Sequence, residues 1–143
     1  MLALFLLASL SDPIPAKVIR VVDGDSVVVE VESWKNTPFS IQSVRISGID
    51  TPESRKPPGK CVAETKLGKK AQAFARTLAK PGDDVTFVFH SIDKYGGRID
   101  ADIILSDGRD WAHLMLSEGY AKSYDGGTKM TWCPVRKKKA TIS

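Results

Sequence analysis

Residues 16–33 read AKVIRVVDGDSVVVEVES, and this stretch decides the expected fold. Apolar and polar residues alternate on both sides of Asp23-Gly24-Asp25, and the run is rich in valine, which favours extended backbone. An Asp-Gly pair between two such runs is typical of a tight turn between antiparallel strands. The stretch therefore predicts a β-hairpin that carries two aspartates at its tip.

Three more strands and two helices are predicted after the hairpin. Period-2 alternation indicates strands, whereas apolar residues recurring every three or four positions between lysines indicate an amphipathic helix. Asp110 is expected to cap the second helix. The predicted ranges are a strand at 39–46, a helix at 64–78, strands at 84–92 and 98–105, a helix at 111–118, and irregular surface chain at 119–133.

This order of elements fits a mainly β member of the α+β class. Three strands, a helix, two strands and a helix match a five-stranded OB-fold barrel with two or three flanking helices. The same elements would also suit another small α+β sandwich. The predicted domain spans residues 16–133.

Composition limits the chain to one compact domain. It has 143 residues, 42% of them hydrophobic and 27% charged, which is enough for one core but not for two. The formal charge of +4 comes from the tail, residues 134–143, because 21 Lys and Arg fall to 17, equal to the 17 Asp and Glu, without Arg136 to Lys139. A basic tail either favours polyanions or is simply solvated.

The first residues, MLALFLLASL, form an apolar run that is too short to span a bilayer. The run is followed by SDPIPA and resembles the apolar part of a secretory signal, so residues 1–11 are interpreted as a signal peptide and the chain as secreted or periplasmic. No Lys or Arg precedes the run. A retained anchor and a misplaced start are the alternatives.

Cys61 and Cys133 are the two cysteines of the chain. In an exported protein they would form one bridge, and closing a loop of about 70 residues would stabilise the fold by roughly 4 kcal/mol. In a reducing compartment both would be small buried apolar residues. Zinc is disfavoured, because only His90 and His113 could join them and neither has a partner at ligand spacing. Both histidines are interpreted as structural or exposed, and Trp111 and Trp132 as packing residues.

Three charges stand out in VRISGIDTPES, residues 44–54. Arg45 lies near the start of this apolar, alternating run, and Asp50 and Glu53 flank a proline in the turn that follows. If this turn lies beside the hairpin, Asp25 joins the two carboxylates. Repulsion among three carboxylates requires a cation, and oxygen ligands suit Ca²⁺ or Mg²⁺. The alternative for each carboxylate is an ordinary turn cap.

A second arginine, Arg98, follows the flexible Gly96-Gly97 pair. The planar guanidinium group suits phosphate oxygens, which gain charge when a phosphoryl group is transferred. Two arginines and a metal beside a carboxylate are typical of phosphodiester cleavage.

The motifs DGDS, VRISGIDTPES and DKYGGR, in this order and at these intervals, resemble the thermonuclease family, the staphylococcal-nuclease-like OB-fold nucleases. The E…LG..A helix after DTPE and the EGYAKSY segment are also similar. The resemblance extends from Lys17 to Tyr124. It implies a calcium-dependent nuclease that cleaves DNA and RNA with little sequence preference, leaves 3′-phosphates, and acts as a monomer without a stable protein partner.

The resemblance also implies roles for individual residues. Asp25, Asp50 and the backbone carbonyl of Thr51 match calcium ligands, and Asp23 would lie near the metal. Glu53 matches the carboxylate that acts as general base or positions the attacking water. Arg45 and Arg98 match the pair that holds the scissile phosphate. Lys94 and Tyr95 match loop residues near the nucleotide, and Tyr124 could stack on a base or sugar or pack on the barrel rim.

Three features depart from the family pattern. Gly96 and Gly97 both precede Arg98 where many members have one glycine, and a one-residue slip would turn Arg98 away unless the loop absorbs it. The C-terminal helix of the type enzyme is missing, and a disulfide would take over its stabilising role. The loop SRKPPGKC is rewritten. A catalytically silent OB module that binds nucleic acid or protein is the alternative function.

Overall fold

The computed structural model describes residues 12–55, 57, 59–92 and 97–134. The predicted signal peptide, the loop residues Lys94 and Tyr95, and all of the basic tail after Pro134 lie outside the described residues. None of the helices in these ranges is long and apolar enough to cross a membrane. In chain order the elements are β1 (Ile14–Asp23), β2 (Ser26–Val31), a 3-10 turn (Glu32–Trp34), β3 (Ile41–Ile46), β4 (Ile49–Asp50), α1 (Val62–Leu78), β5 (Asp84–Ile92), β6 (Ile99–Leu105), α2 (Trp111–Ser117) and β7 (Lys122–Ser123).

Five strands close into a barrel in the order β1-β2-β3-β6-β5. Neighbouring strands are antiparallel except β3 and β6, which run parallel with Val44 opposite Ile99 and Arg45 opposite Asp100. The barrel and its two α-helices confirm the predicted α+β OB-type architecture. Closure leaves β3 and β6 side by side although more than fifty residues separate them, and this pairing brings the two arginine-bearing segments together.

The hairpin, the three later strands and both helices lie where the sequence predicts them, with small changes in their bounds. Helix α1 begins at Val62, two residues early, because Cys61 caps it by accepting the N–H of Glu64 on its sulfur at 3.3 Å. The interpretation of residues 119–133 as wholly irregular was wrong. Within them β7 pairs with β4, placing Lys122 opposite Asp50, because the β3 exit leaves edge groups that a passing segment can pair with.

The core fills the barrel with the inward-facing side chains of β2, β3, β5 and β6. The largest fully buried residues include Trp111, Phe87, Ile46, Ile103 and Met115. At 25 cal/mol per Å² of buried apolar surface, such side chains each contribute roughly 1.5 to 3 kcal/mol. The barrel is therefore a rigid platform for the loops at its rim.

Helix α2 is fixed to the hairpin tip by Trp111. Its indole N–H donates to the carbonyl of Gly24 at 2.9 Å. A Cβ at Gly24 would lie 2.9 Å from the Met115 methyl group and 3.0 Å from Thr51, so a side chain there would require these two neighbours to shift. The predicted packing role of Trp111 is confirmed, and its effect is to fix the turn that carries Asp25.

Candidate active site

Asp25 and Arg45 form the centre of the site. Asp25 lies in the hairpin turn, and its carbonyl accepts the N–H of Ile46 at 2.8 Å, which ties the turn to β3. The side chains are 17% and 13% exposed, and Arg45 Nη2 lies 3.9 Å from Asp25 Oδ2. The register of β2 and β3, with Ser26 opposite Arg45, produces this pairing. It is the arrangement the sequence predicted if the hairpin and the β3 exit are neighbours.

The guanidinium group of Arg45 is held by backbone as well as by charge. Its Nη1 donates to the carbonyl of Ile46 at 3.3 Å, and its Nη2 donates to that of Ile49 at 3.1 Å. Arginine has five N–H donors, so these contacts fix its position and leave donors for another partner. A fixed guanidinium loses little conformational freedom when it binds an anion.

Arg98 lines the same groove as Arg45. We call this feature, with Arg45, Arg98, Asp100, Tyr124 and Lys129 among its lining residues, the arginine groove. Gly97 adopts a left-handed conformation, with φ of +68°. Such a backbone conformation favours glycine at this position, and Arg98, the next residue, lies on the groove side.

Tyr124 lies between two cations at the edge of this groove. The Arg45 guanidinium and the Lys129 ammonium are each 5.5 Å from the centre of its ring. Its hydroxyl donates to the carbonyl of Gly127 at 2.8 Å, and its backbone N–H donates to that of Gly48 at 2.9 Å. The ring is thus held at the groove rather than in the core, within cation–π distance of a phosphate-binding candidate.

Asp50 is the most enclosed of the candidate carboxylates, with 8% of its side chain exposed. Its Oδ2 accepts the indole N–H of Trp132 at 2.9 Å, and its Oδ1 lies 3.3 Å from Nζ of Lys129. The prediction that Trp132 only packs was incomplete, because the indole is also a donor to a candidate metal ligand. Lys129 did not appear among the candidates at all.

Glu53 is half-buried, and α1 positions the chain that carries it. The Glu64 carboxylate accepts the N–H of Glu53 at 3.2 Å and that of Lys60 at 2.8 Å. A Cβ on Gly68 would collide with the carbonyl of Glu53 and the amide of Ser54. Glu64 of the helix motif therefore binds the backbone of the loop that carries the candidate base. Gly68 of the same motif leaves room for that backbone.

Asp23 and Thr51 lie next to these groups. Asp23 accepts the hydroxyl of Ser54 at 2.6 Å, so it links the hairpin to the loop after β4. Thr51 is buried, and its backbone amide lowers the pKa of the nearby Asp25 carboxyl. All four acidic candidates and Thr51 therefore belong to one connected cluster.

Burial and mutual repulsion disfavour the charged forms of two members of the cluster. Burial raises the pKa of Asp25 above its usual value of 3.8, and the charges of Asp50 and Asp23 raise it further, although the Arg45 guanidinium and the Thr51 amide lower it. Burial also raises the pKa of Glu53, as do the charges of Asp25 and Asp23, while Lys129 lowers it. Additional positive charge at this cluster would lower the pKa of both carboxyl groups.

The donor set fits a hard divalent cation with water completing its shell. Asp25, Asp50 and the Thr51 carbonyl would supply oxygen ligands, which calcium and magnesium prefer. Within the described ranges, no three side chains of Asp, Glu, His or Cys are arranged to bind a metal by themselves. The predicted set of two carboxylates and a carbonyl remains a prediction, and one of those carboxylates, Asp50, has a lysine beside it.

Cys61 and Cys133 are joined by a disulfide bond across 72 residues. Cys61 caps α1 next to the Glu53 loop, so the bond brings Trp132, its neighbour in sequence, to the cluster. The predicted bridge was the sequence signal that could have identified Trp132. Because one end of the bridge, Cys61, lies beside the site, the other end and its neighbour Trp132 lie there too. His90 lies 3.0 Å from Asp102, and His113 is exposed, in agreement with their interpretation as structural or exposed residues.

The fold is a closed OB-type barrel that carries two arginines in one groove, one of them beside an acidic cluster. The family model for staphylococcal nuclease homologues matches residues 43–138. The chain belongs to this family.

Three relatives are similar over about three quarters of the chain. The endonuclease YhcR of Bacillus subtilis is 32% identical over 109 residues, 73% of this chain and 8% of its own length. An uncharacterized protein of Methanocaldococcus jannaschii is 35% identical over 130 residues, 76% of this chain and 58% of its own length. An uncharacterized protein of Bacillus anthracis is 30% identical over 112 residues, 76% of this chain and 47% of its own length. The chain thus spans less than two thirds of each relative.

Proposed function

We propose that the chain is a calcium-dependent nuclease that hydrolyses phosphodiester bonds of DNA and RNA with little sequence preference and leaves 3′-phosphates. The observation that carries the proposal is the placement of Arg45 and Arg98 in one groove, with Arg45 next to the carboxylate cluster. Membership of the staphylococcal nuclease homologue family and the likeness to an endonuclease support it.

In this proposal the two arginines bind the scissile phosphate. Arg45 is already fixed by the carbonyls of Ile46 and Ile49, so it presents its remaining donors without reorganising. Charge that develops on the phosphate oxygens is stabilised by both guanidinium groups. Tyr124, beside Arg45, offers a face on which the sugar or base next to that phosphate can stack.

Glu53 holds and orients the attacking water. Its raised pKa moves it toward the range in which a carboxylate accepts a proton effectively. Asp25, Asp50 and the Thr51 carbonyl would hold calcium, which would supply positive charge to the phosphate and the attacking oxygen. The 2.6 Å hydrogen bond from Ser54 to Asp23 holds the hairpin next to the loop that carries Glu53.

The proposed catalytic domain is residues 16–133, preceded by a signal peptide at 1–11 and followed by a basic tail at 134–143. The Cys61–Cys133 disulfide supports export, because such bonds persist in oxidising compartments. We further propose that the exported chain is a monomer in the periplasm or outside the cell.

The test is cleavage of single-stranded DNA with and without a calcium chelator. Glu53→Gln and Arg98→Ala are compared with Glu32→Gln and Arg109→Ala, since Glu32 and Arg109 form exposed ion pairs with Lys35 and Asp107 away from the groove. Wild type and both controls should cleave only with calcium. Both site variants should lose about 10²- to 10³-fold in rate.

A wild-type protein that binds DNA but never cleaves it would refute the nuclease proposal. It would favour the catalytically silent OB module instead. Full activity of Arg98→Ala would remove Arg98 from the mechanism while leaving the rest of the proposal standing.

A further inference from the structure

Asp50, a proposed calcium ligand, already has a partner for each of its oxygens. Trp132 donates to Oδ2 at 2.9 Å, and the Lys129 ammonium lies 3.3 Å from Oδ1. Both partners come from residues 129–133, which we call the tethered segment. Lys129 lines both the arginine groove and the smaller cavity that holds Asp50 and Glu53.

Several contacts hold the tethered segment in place. Cys133 is covalently bonded to Cys61. Lys122 lies 4.3 Å from the centre of the Trp132 ring and donates to the carbonyl of Thr131 at 3.1 Å. The segment is therefore not a free end that touches Asp50 by chance, since the disulfide at Cys133 and the contacts of Lys122 with Thr131 and Trp132 hold it in place.

The two partners of Asp50 differ in their effect on a bound cation. A carboxylate has about four lone-pair sites, so the neutral Trp132 donor can remain when a metal binds. The Lys129 ammonium carries a full positive charge at the same carboxylate, and two like charges a few ångströms apart repel strongly in a partly buried site. Lys129 also faces Glu53, whose pKa it lowers.

We propose that Lys129 is a positioning residue whose ammonium group is a built-in counter-ion for Asp50, which a divalent cation must displace in order to bind. The Cys61–Cys133 bridge keeps the effective concentration of Lys129 at Asp50 high, because it tethers the segment. Metal affinity therefore depends on both the lysine and the disulfide. This inference rests on the calcium site of the proposed function.

The test is calorimetric titration of calcium into the oxidised full chain. Lys129→Met should lower the Kd about five- to tenfold, because one charge-assisted contact is lost. Lys129→Arg should stay close to wild type, since it keeps the charge. The matched control is Lys60→Met, which removes the same charge from an exposed residue lining the same cavity.

Reduction of the disulfide gives the second arm. In wild type, reduction should lower the Kd several-fold, because Lys129 is no longer held at Asp50. In Lys129→Met, reduction should change the Kd little, since the competing charge is already gone. Circular dichroism of each sample checks that the barrel remains folded.

The inference is overturned if Lys129→Met binds calcium no tighter than wild type, or if Lys60→Met tightens binding equally. DNA cleavage measured on the same samples separates the two proposals. If Lys129→Met cleaves DNA but binds calcium with the wild-type Kd, the nuclease proposal stands and only the role of Lys129 is refuted. Absence of both calcium binding and cleavage in every variant overturns both.

Discussion

The guanidinium of Arg45, on β3, lies 3.9 Å from the carboxylate of Asp25, in the turn between β1 and β2. Neither residue is fully buried. Asp25 belongs to the acidic cluster, in which its own pKa and that of Glu53 are raised, and Arg45 lies beside that cluster. The arginine therefore has two effects, since it offsets negative charge in the resting site and presents donors to the groove.

Two replacements of Arg45 should show separately how its charge and its planar shape contribute to cleavage. Arg45→Lys keeps a cation but loses the planar group that bridges to the carbonyls of Ile46 and Ile49. We expect about 10²- to 10³-fold slower cleavage for Arg45→Ala and an intermediate loss for Arg45→Lys, because a lysine binds phosphate as a point charge. Single-turnover rates measure both. Equal rates for the two variants would contradict a role for the planar geometry.

The raised pKa of Asp25 predicts how the stability of the metal-free protein changes with pH. Between the usual Asp value of 3.8 and its raised folded value, the folded state binds more protons than the unfolded state, so Asp25 lowers the free energy of unfolding as pH rises. Asp25→Asn should therefore stabilise the chelated protein at neutral pH and have less effect near pH 4. Urea unfolding at a series of pH values measures this.

Asp107 is the matched control for that experiment. The backbone and side chain of Arg109 lower the pKa of Asp107, so Asp107→Asn should show the opposite sign and lose stability at neutral pH relative to acid. A gain for both variants at neutral pH would indicate a general charge effect and contradict the assignment to Asp25.

Gly68→Ala should destabilise the fold although alanine is the better helix former. A Cβ there meets the backbone of Glu53 and Ser54, so helix α1 must move away from the loop that carries the candidate base. We expect a loss of about 1 to 3 kcal/mol, as for other overpacked sites, together with reduced cleavage. Lys69→Ala, at the exposed neighbouring position, should leave unfolding unchanged. Stabilisation by Gly68→Ala would show that the helix does not pack so closely.

Loss of the disulfide should lower stability measurably. The bond closes a loop of 72 residues, which corresponds to roughly 4 kcal/mol on the chain-entropy model. The double variant Cys61→Ser, Cys133→Ser should therefore unfold at a clearly lower urea concentration than wild type, and reduced wild type should match it. A midpoint that neither change shifts would contradict a stabilising role.

The sequence alone was enough to predict the five barrel strands and the two α-helices, and it suggested the chemistry proposed for the site. Alternation, valine content and the Asp-Gly turn are local signals, so the hairpin and later strands followed from short windows. The acidic and arginine residues were recognisable because charges in apolar runs are costly without partners. Arg98 was uncertain only because the effect of a second glycine depends on the loop around it.

Only the tertiary structure decided which distant residues share the site. The pairing of β4 with β7, the contact of Glu64 with the Glu53 loop, and the placement of Lys129 on Asp50 join residues that no local pattern connects. Barrel closure and the Cys61–Cys133 bond create these contacts, because they fix in space segments that are far apart in sequence. The sequence by itself predicted the barrel and the five candidate residues Asp25, Arg45, Asp50, Glu53 and Arg98, whereas the fold placed Lys129 beside Asp50, a proposed metal ligand.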